Sequence, residues 1–289
     1  MKIWIDLHGA PGSQNGFDNS GQRLSTPGWQ QGDSVAQTFS VLQNITTKYA
    51  QPAYQDVVVA IELLNEPLSS ELNYDELKQF YQDGYDQVRA VSDTPVMMHD
   101  AFNPPSSWNG FLSVSDNNAQ NGAHPPSPQS ASLIRTVIVD HHEYQVFTDE
   151  LVALQNWQHR QLVCNNAPSY SSGADKWVVV GEWTAAETDC APALNGYNIG
   201  ARYDGTYPGS SYVGSCDGKS NIADWDDDMK GDVRGYIEAQ LETFESHTQG
   251  WVFWNFKTEA AHEWDAFALL DAGLFPQPLT DRRYTAICS

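Results

Sequence analysis

The run Val57-Val58-Val59-Ala60-Ile61-Glu62-Leu63-Leu64, followed at once by Asn65-Glu66-Pro67, constrains the fold more than any other stretch of this chain. A segment that apolar has no polar face to present to water. It reads as a strand buried on both faces, as in parallel sheets. The residue before a proline is disfavoured in the helical region, which places Glu66 on extended chain at the strand's C-terminal end. In a β/α barrel that end carries the chemistry. A polar cluster that merely stops a strand before a turn would account for these residues equally well, so the rest of the chain has to decide.

The pattern recurs along the chain. Ile3–Leu7 is a short apolar strand ending in His8-Gly9-Ala10-Pro11-Gly12, and Pro95–His99 is another, ending in Asp100. Thr136–Val139 ends in Asp140-His141-His142-Glu143-Tyr144, Trp177–Val180 in Gly181-Glu182-Trp183, and Trp251–Trp254 in Asn255-Phe256-Lys257. Helical spacing of apolar residues falls between them, over Ser34–Ala50, Tyr74–Val91, Thr148–Val163 and Met229–His247. Residues 100–132, with five prolines, and residues 183–227 are long polar loops. Six strands alternating with helices predict a parallel sheet of α/β type in a single domain over residues 1–289. Six strand ends bearing polar or aromatic clusters look like the mouth of a barrel.

Charge and cysteines bound the function. A formal net charge of −22 disfavours nucleic acid and anionic membrane surfaces as partners. No apolar run approaches the roughly 20 residues of a membrane helix. The opening residues are no signal peptide, because Asp6 interrupts the apolar run. Cys164, Cys190, Cys216 and Cys288 lack metal-type spacing, and two disulfides in a secreted protein is the favoured reading. The sequon Asn44-Ile45-Thr46 is compatible with secretion.

Glu66 and Glu182 stand at the ends of different strands, and paired carboxylates are the apparatus of glycoside hydrolysis. One must be protonated to donate to the leaving oxygen, the other ionised to attack, so their environments must differ. His142 and Tyr144 can supply that asymmetry, and Asn65 is placed to bond a sugar hydroxyl. His8 and His142 are otherwise ordinary hydrogen-bonded histidines. A metal site at His99, His141 and His142 is disfavoured, because adjacent histidines on a strand point to opposite faces. The chain has no Gly-x-Ser-x-Gly elbow, P-loop or dinucleotide fingerprint. Acid–base and nucleophilic chemistry call for no cofactor and no metal.

The run His8-Gly9-Ala10-Pro11-Gly12-Ser13-Gln14-Asn15-Gly16-Phe17-Asp18-Asn19-Ser20-Gly21 resembles the strand-three signature of fungal exo-β-1,3-glucanases of glycoside hydrolase family five. Asn65-Glu66-Pro67, Asp140 to Phe147, Gly181-Glu182-Trp183, Lys257-Thr258-Glu259 and Pro276-Gln277-Pro278-Leu279 follow in the family's order. Asn-Glu-Pro alone is shared by many retaining glycosidases; the fourteen-residue run is far more specific. The resemblance spans essentially the whole chain. It implies a (β/α)8 TIM-barrel type of fold, a secreted or cell-wall location, and retaining release of glucose from β-1,3-glucan. It implies Glu66 as acid/base and Glu182 as nucleophile, with His8, Asn65, His142 and Tyr144 around the sugar at the cleavage point. It also implies Phe17 and Phe147 as aromatic clamps at the entrance, and the pairings Cys164–Cys288 and Cys190–Cys216.

Two departures stand against that pattern. The chain begins at what resembles strand three, so six of eight strand–helix units (strands 3 to 8) are expected. A glutamate after strand one and an arginine on strand two, which shape the sugar subsite in relatives, have no counterpart here. The family's Trp-Lys-Thr-Glu reads Phe256-Lys257-Thr258-Glu259, which loses an indole donor, with Trp254 two residues earlier facing the pocket only in part. Open strand edges at residues 3–7 and 251–254 predict self-association, unless the sequence is a piece of a longer chain that carries the missing strands. The competing function is a glucan-binding remnant without turnover, since small misplacements at a catalytic site cost large factors in rate. A cellulase-like endo enzyme fits less well, because the long loops resemble those that close relatives' clefts into pockets.

Overall fold

A computed structural model describes residues 1–112 and 137–288. Most of the 100–132 loop therefore lies outside the described residues. Backbone contacts divide the chain into two compact units, Met1–His141 with Ser171–Val179, and His142–Tyr170 with Val180–Ser289.

The first unit is built on strands β1 (Ile3–Asp6), β2 (Val58–Glu62), β3 (Val96–His99), β4 (Val137–Glu143) and β5 (Trp177–Trp183), which lie in that order in one sheet. The pairs β1–β2, β2–β3 and β3–β4 are parallel. The last residues of β4 and β5 belong to the second unit. Alternation along each strand sends side chains to opposite faces. Met97 packs with Ala60, Ile138 and Val179 on one face. Val96 and Met98 join Leu77, Phe80 and Tyr81 on the other. Both faces are covered, which is why these strands read as unbroken apolar runs.

Helix α1 (Ser34–Tyr49) and helix α2 (Tyr74–Arg89) cover the outer face. Asn73 caps α2 by accepting the N–H groups of Asp75 and Glu76, and Leu77, Phe80, Tyr81 and Val88 form its buried stripe. At Gly84 a Cβ would stand 3.0 Å from Leu63 Cδ1, so a larger residue there would require the leucine side chain to shift. Among the described residues β1 has a strand partner only on its β2 side, and Ile3 is 38% exposed.

The second unit holds α3 (Asp149–Val152), α4 (Asn156–Ser171), α5 (Asp227–His247) and α6 (Ala266–Asp271). Asp226 caps α5, whose Val233, Ile237, Leu241 and Phe244 pack with Trp183, Val180 and Phe275. Both disulfides, Cys164–Cys288 and Cys190–Cys216, are formed, as the family resemblance implied.

Four expectations need correction. The helix expected over Thr148–Val163 is two helices broken at residues 153–155. The Gln158 side chain accepts the Gln155 N–H at 2.8 Å and so starts a new helix, which runs on to Ser171. Five of the six expected strands form the sheet. The sixth, at Trp251–Trp254, keeps only an isolated parallel bridge between Trp251 and Val180, with the Val252 and Trp254 amides bonded to the Val180 and Trp183 carbonyls. Finally, Glu66 is not extended: its φ is +43°, in the left-handed region. β4 and β5 also run three to four residues further than expected, so Asp140 to Glu143 and Gly181 to Trp183 are strand residues.

Candidate active site

In the first unit the β1 and β2 ends present His8, Asn65 and Glu66. A non-glycine residue at positive φ is strained and persists only when its surroundings over-determine it. Around Glu66 they do. The Asn65 amide donates to the Leu7 carbonyl at 3.1 Å, and the Leu68 amide to the Gln14 carbonyl at 3.1 Å. The Gln14 side chain, fully buried, donates to the carbonyls of Asn65 (2.8 Å) and His8 (3.0 Å) and accepts the Ala10 amide (3.1 Å). One amide thus ties the two strand ends together. The buried Glu66 carboxylate accepts from Asn19 Nδ2 at 2.6 Å.

His8 Nδ1 bonds Asp6 Oδ2 at 2.7 Å, which leaves Nε2, 3.5 Å from Asn65 Nδ2, on the other side of the ring. Phe17 is 44% exposed and meets Phe102 edge to face, with ring centroids 6.2 Å apart. Behind these groups Asp100 is buried. Burial pushes its carboxyl upward, but the His141 Nδ1 bond at 2.6 Å, the neighbouring histidines and the Phe102 amide together hold it below the usual range. His141 is committed to Asp100, which is a structural role.

In the second unit the β4 and β5 ends present His142, Tyr144 and Glu182. The Tyr144 hydroxyl donates to Glu182 Oε2 at 2.7 Å, and His142 Nδ1 lies 3.5 Å from the same oxygen. Tyr144 is packed against Trp264 (5.5 Å, 34° between planes) and Phe147 (5.4 Å, edge to face). Those contacts fix the direction of its hydroxyl. Phe147 is 40% exposed. Trp254 is half-buried in a cluster with Val146, Ala186 and Trp264. Phe256 is 70% exposed and meets Phe267 edge-on, with centroids 5.0 Å apart.

Gln14, Asn19 and Trp264 carry positioning roles that residue patterns did not reveal. Gln14 and Asn19 sit in a polar, glycine-rich loop, where amides are ordinarily solvated. Their presence inside the fourteen-residue signature was the only hint.

The sheet is that of a partial β/α barrel, with one carboxylate after β2 and another on β5. The solved rutinosidase from Aspergillus niger shares the fold at a TM-score of 0.63, over 96% of this chain and 67% of that one, with 16% identity. The sequence profile of the family described as cellulase (glycosyl hydrolase family 5) matches residues 1–203. Curated relatives are more similar: a glucan 1,3-beta-glucosidase of Blumeria graminis is 46% identical over all of this chain and 64% of its own length. That of Schwanniomyces occidentalis is 46% identical over 63% of its length, and a probable glucan 1,3-beta-glucosidase A of Aspergillus niger 44% over 64%. The chain belongs to glycoside hydrolase family 5. It spans about 64% of the length of the curated relatives it matches.

Proposed function

We propose that this chain acts as a retaining glycosidase that releases glucose from β-1,3-glucan by double displacement, with residues 1–289 as one catalytic domain. The observation that carries the reading is the Tyr144 to Glu182 hydrogen bond. A phenol that donates to a carboxylate oxygen offers a partner to negative charge there. Glu182 is then the nucleophile: it attacks the anomeric carbon while Glu66 gives its proton to the departing glycosidic oxygen. In the second half Glu66 takes a proton from water, which displaces Glu182 from the sugar. Asn19 orients Glu66, and His8, Asn65 and His142 are assigned to the sugar hydroxyls. Phe17, Phe147, Trp254 and Phe256 supply flat apolar surfaces for sugar faces.

The names of the curated relatives support this substrate class. The two disulfides fit secretion, and no helix among the described residues is long and apolar enough to cross a membrane. The partly exposed β1 edge suits pairing with a second copy, for which a dimer mass in light scattering is the check.

The second reading, glucan binding without turnover, is favoured by the exposure of Phe256. Glucose release from laminarin, measured beside Glu182→Gln, separates the two. Release abolished by the substitution supports the hydrolase. Absence of release from both, with laminarin still retained, supports the binding protein.

A further inference from the structure

A cavity of about 170 Å³ opens in the second unit, lined by residues of α3, α5 and the loops after β5. His142, Tyr144 and Glu182 do not line it. Two carboxylates do: Glu187 and Glu263. Glu263 is 4% exposed; its Oε1 accepts from Ser220 Oγ at 2.7 Å, while its buried Oε2 has no protein partner. Glu187 Oε1 is likewise buried and unpartnered. Buried polar atoms are satisfied in the great majority of cases, and leaving one unmet costs about 1–3 kcal/mol. Two such oxygens on one cavity mark a place where donors belong.

The walls are fixed. Asp189 accepts the backbone amides of Arg202 (2.7 Å) and Tyr203 (3.0 Å), which locks Tyr203 in place. The Cys190–Cys216 bridge ties the two loops together. Trp225, 3% exposed, is anchored through its indole N–H to the carbonyls of Gly218 and Lys219. Lys219 Nζ lies 5.6 Å from the Tyr203 ring centroid. Aromatic faces beside carboxyl, ammonium and Thr188 groups make a surface that meets both faces and edges of a hydroxylated ring.

We propose that this cavity is a binding site for a small neutral polyol of about one sugar ring, separate from the proposed catalytic residues. The volume is below the roughly 300–1,000 Å³ of pockets for drug-sized ligands. A metal ion is the wrong occupant. Among the described residues no group of three or more His, Cys, Asp or Glu ligands gathers here. Burial also pushes the Glu187 carboxyl up to about 8 and the Glu263 carboxyl to about 7. Below those values the acids are neutral and both donate and accept, which matches hydroxyl groups.

The test is binding of D-glucose to the Glu182→Gln chain, which prevents turnover, read from the Trp225 indole N–H in 1H–15N correlation spectra. The readout needs no catalysis, so its failure is distinct from failure of the hydrolase reading. The expected result is a saturable Trp225 shift, with Glu187→Leu raising Kd about tenfold and Glu187→Gln, which keeps a donor and an acceptor, raising it less than about threefold. If Glu187→Leu does not fold, as judged by lost indole dispersion, Tyr203→Ala takes its place with the same tenfold threshold. No saturable shift at glucose well above a Kd of about 1 mM, an unchanged Kd in the variant, or a shift produced by Ca²⁺ alone and not by glucose would each overturn the proposal.

Discussion

Tyr144 and Glu182 come from two different strand ends, and a 2.7 Å hydrogen bond from the phenol to the carboxylate joins them. Trp264 and Phe147 pack on the tyrosine ring, so the donor is held in place before any substrate arrives. Preorganised donors of this kind need no rearrangement at the moment of reaction.

Tyr144→Phe keeps the ring packing and removes only the donor. A hydrogen bond to a charged group is worth about 1.5–3 kcal/mol, so glucose release from laminarin should fall about 10- to 100-fold with the melting temperature little changed. An unchanged rate would remove Tyr144 from the reaction.

Asn19 donates to Glu66 from a loop, and the role proposed for it is positioning. Asn19→Ala should lower kcat about tenfold while KM stays near its original value, because the substrate's own contacts are untouched. Asn19→Asp should do more damage, since it replaces the N–H donor to Glu66 with an acceptor. A rise in KM alone would instead assign Asn19 to substrate binding.

Arg234 and Glu238 form a buried ion pair one helical turn apart on α5, at 3% and 1% side-chain exposure. Glu238 also accepts the amides of Arg283 (2.9 Å) and Tyr284 (2.7 Å), which anchors the C-terminal segment. Glu238→Ala leaves Arg234 buried and uncompensated, and urea denaturation should report a loss of about 3–5 kcal/mol. Loss below about 1 kcal/mol would mean that water or another group replaces the carboxylate.

Glu187 and Glu263 carry carboxyls raised above their unfolded value of 4.5, to about 8 and about 7. Between those limits the folded chain holds protons that the unfolded chain has released, so stability falls as pH rises. The stabilising contribution is complete below pH 4.5 and is lost as pH climbs through 7 to 8. Glu187→Gln should therefore raise the melting temperature at pH 8 but not at pH 4.5, by about 2–4 °C per kcal/mol recovered. A gain equal at both pH values would show that Glu187 titrates normally.

Much of the fold was legible because its physical cause is local. Val58–Leu64, apart from Glu62, and Trp177–Val180 are apolar because both faces of their strands are covered. The Tyr74–Arg89 helix announced itself by its 3.6-residue apolar stripe, while the Asn73 cap that starts it emerged only from the structure. The break at residues 153–155 was not legible, because one glutamine amide bonding to a backbone N–H outweighs an unbroken periodic pattern.

The residue types at the strand ends, and hence Glu66, Glu182, His142 and Tyr144 as the chemical groups, were written in the sequence by itself. So were the family signature and the absence of any metal-type cysteine spacing. The backbone at Glu66 was decided only by tertiary structure. Local rules placed it on extended chain, yet bonds from Gln14 and Leu7, fifty or more residues away, hold it and its neighbour in a left-handed turn. The same holds for Gln14 itself, a loop amide that becomes fully buried. Period and propensity act over a few residues, whereas the satisfaction of a buried polar group depends on whichever distant segment the fold brings against it.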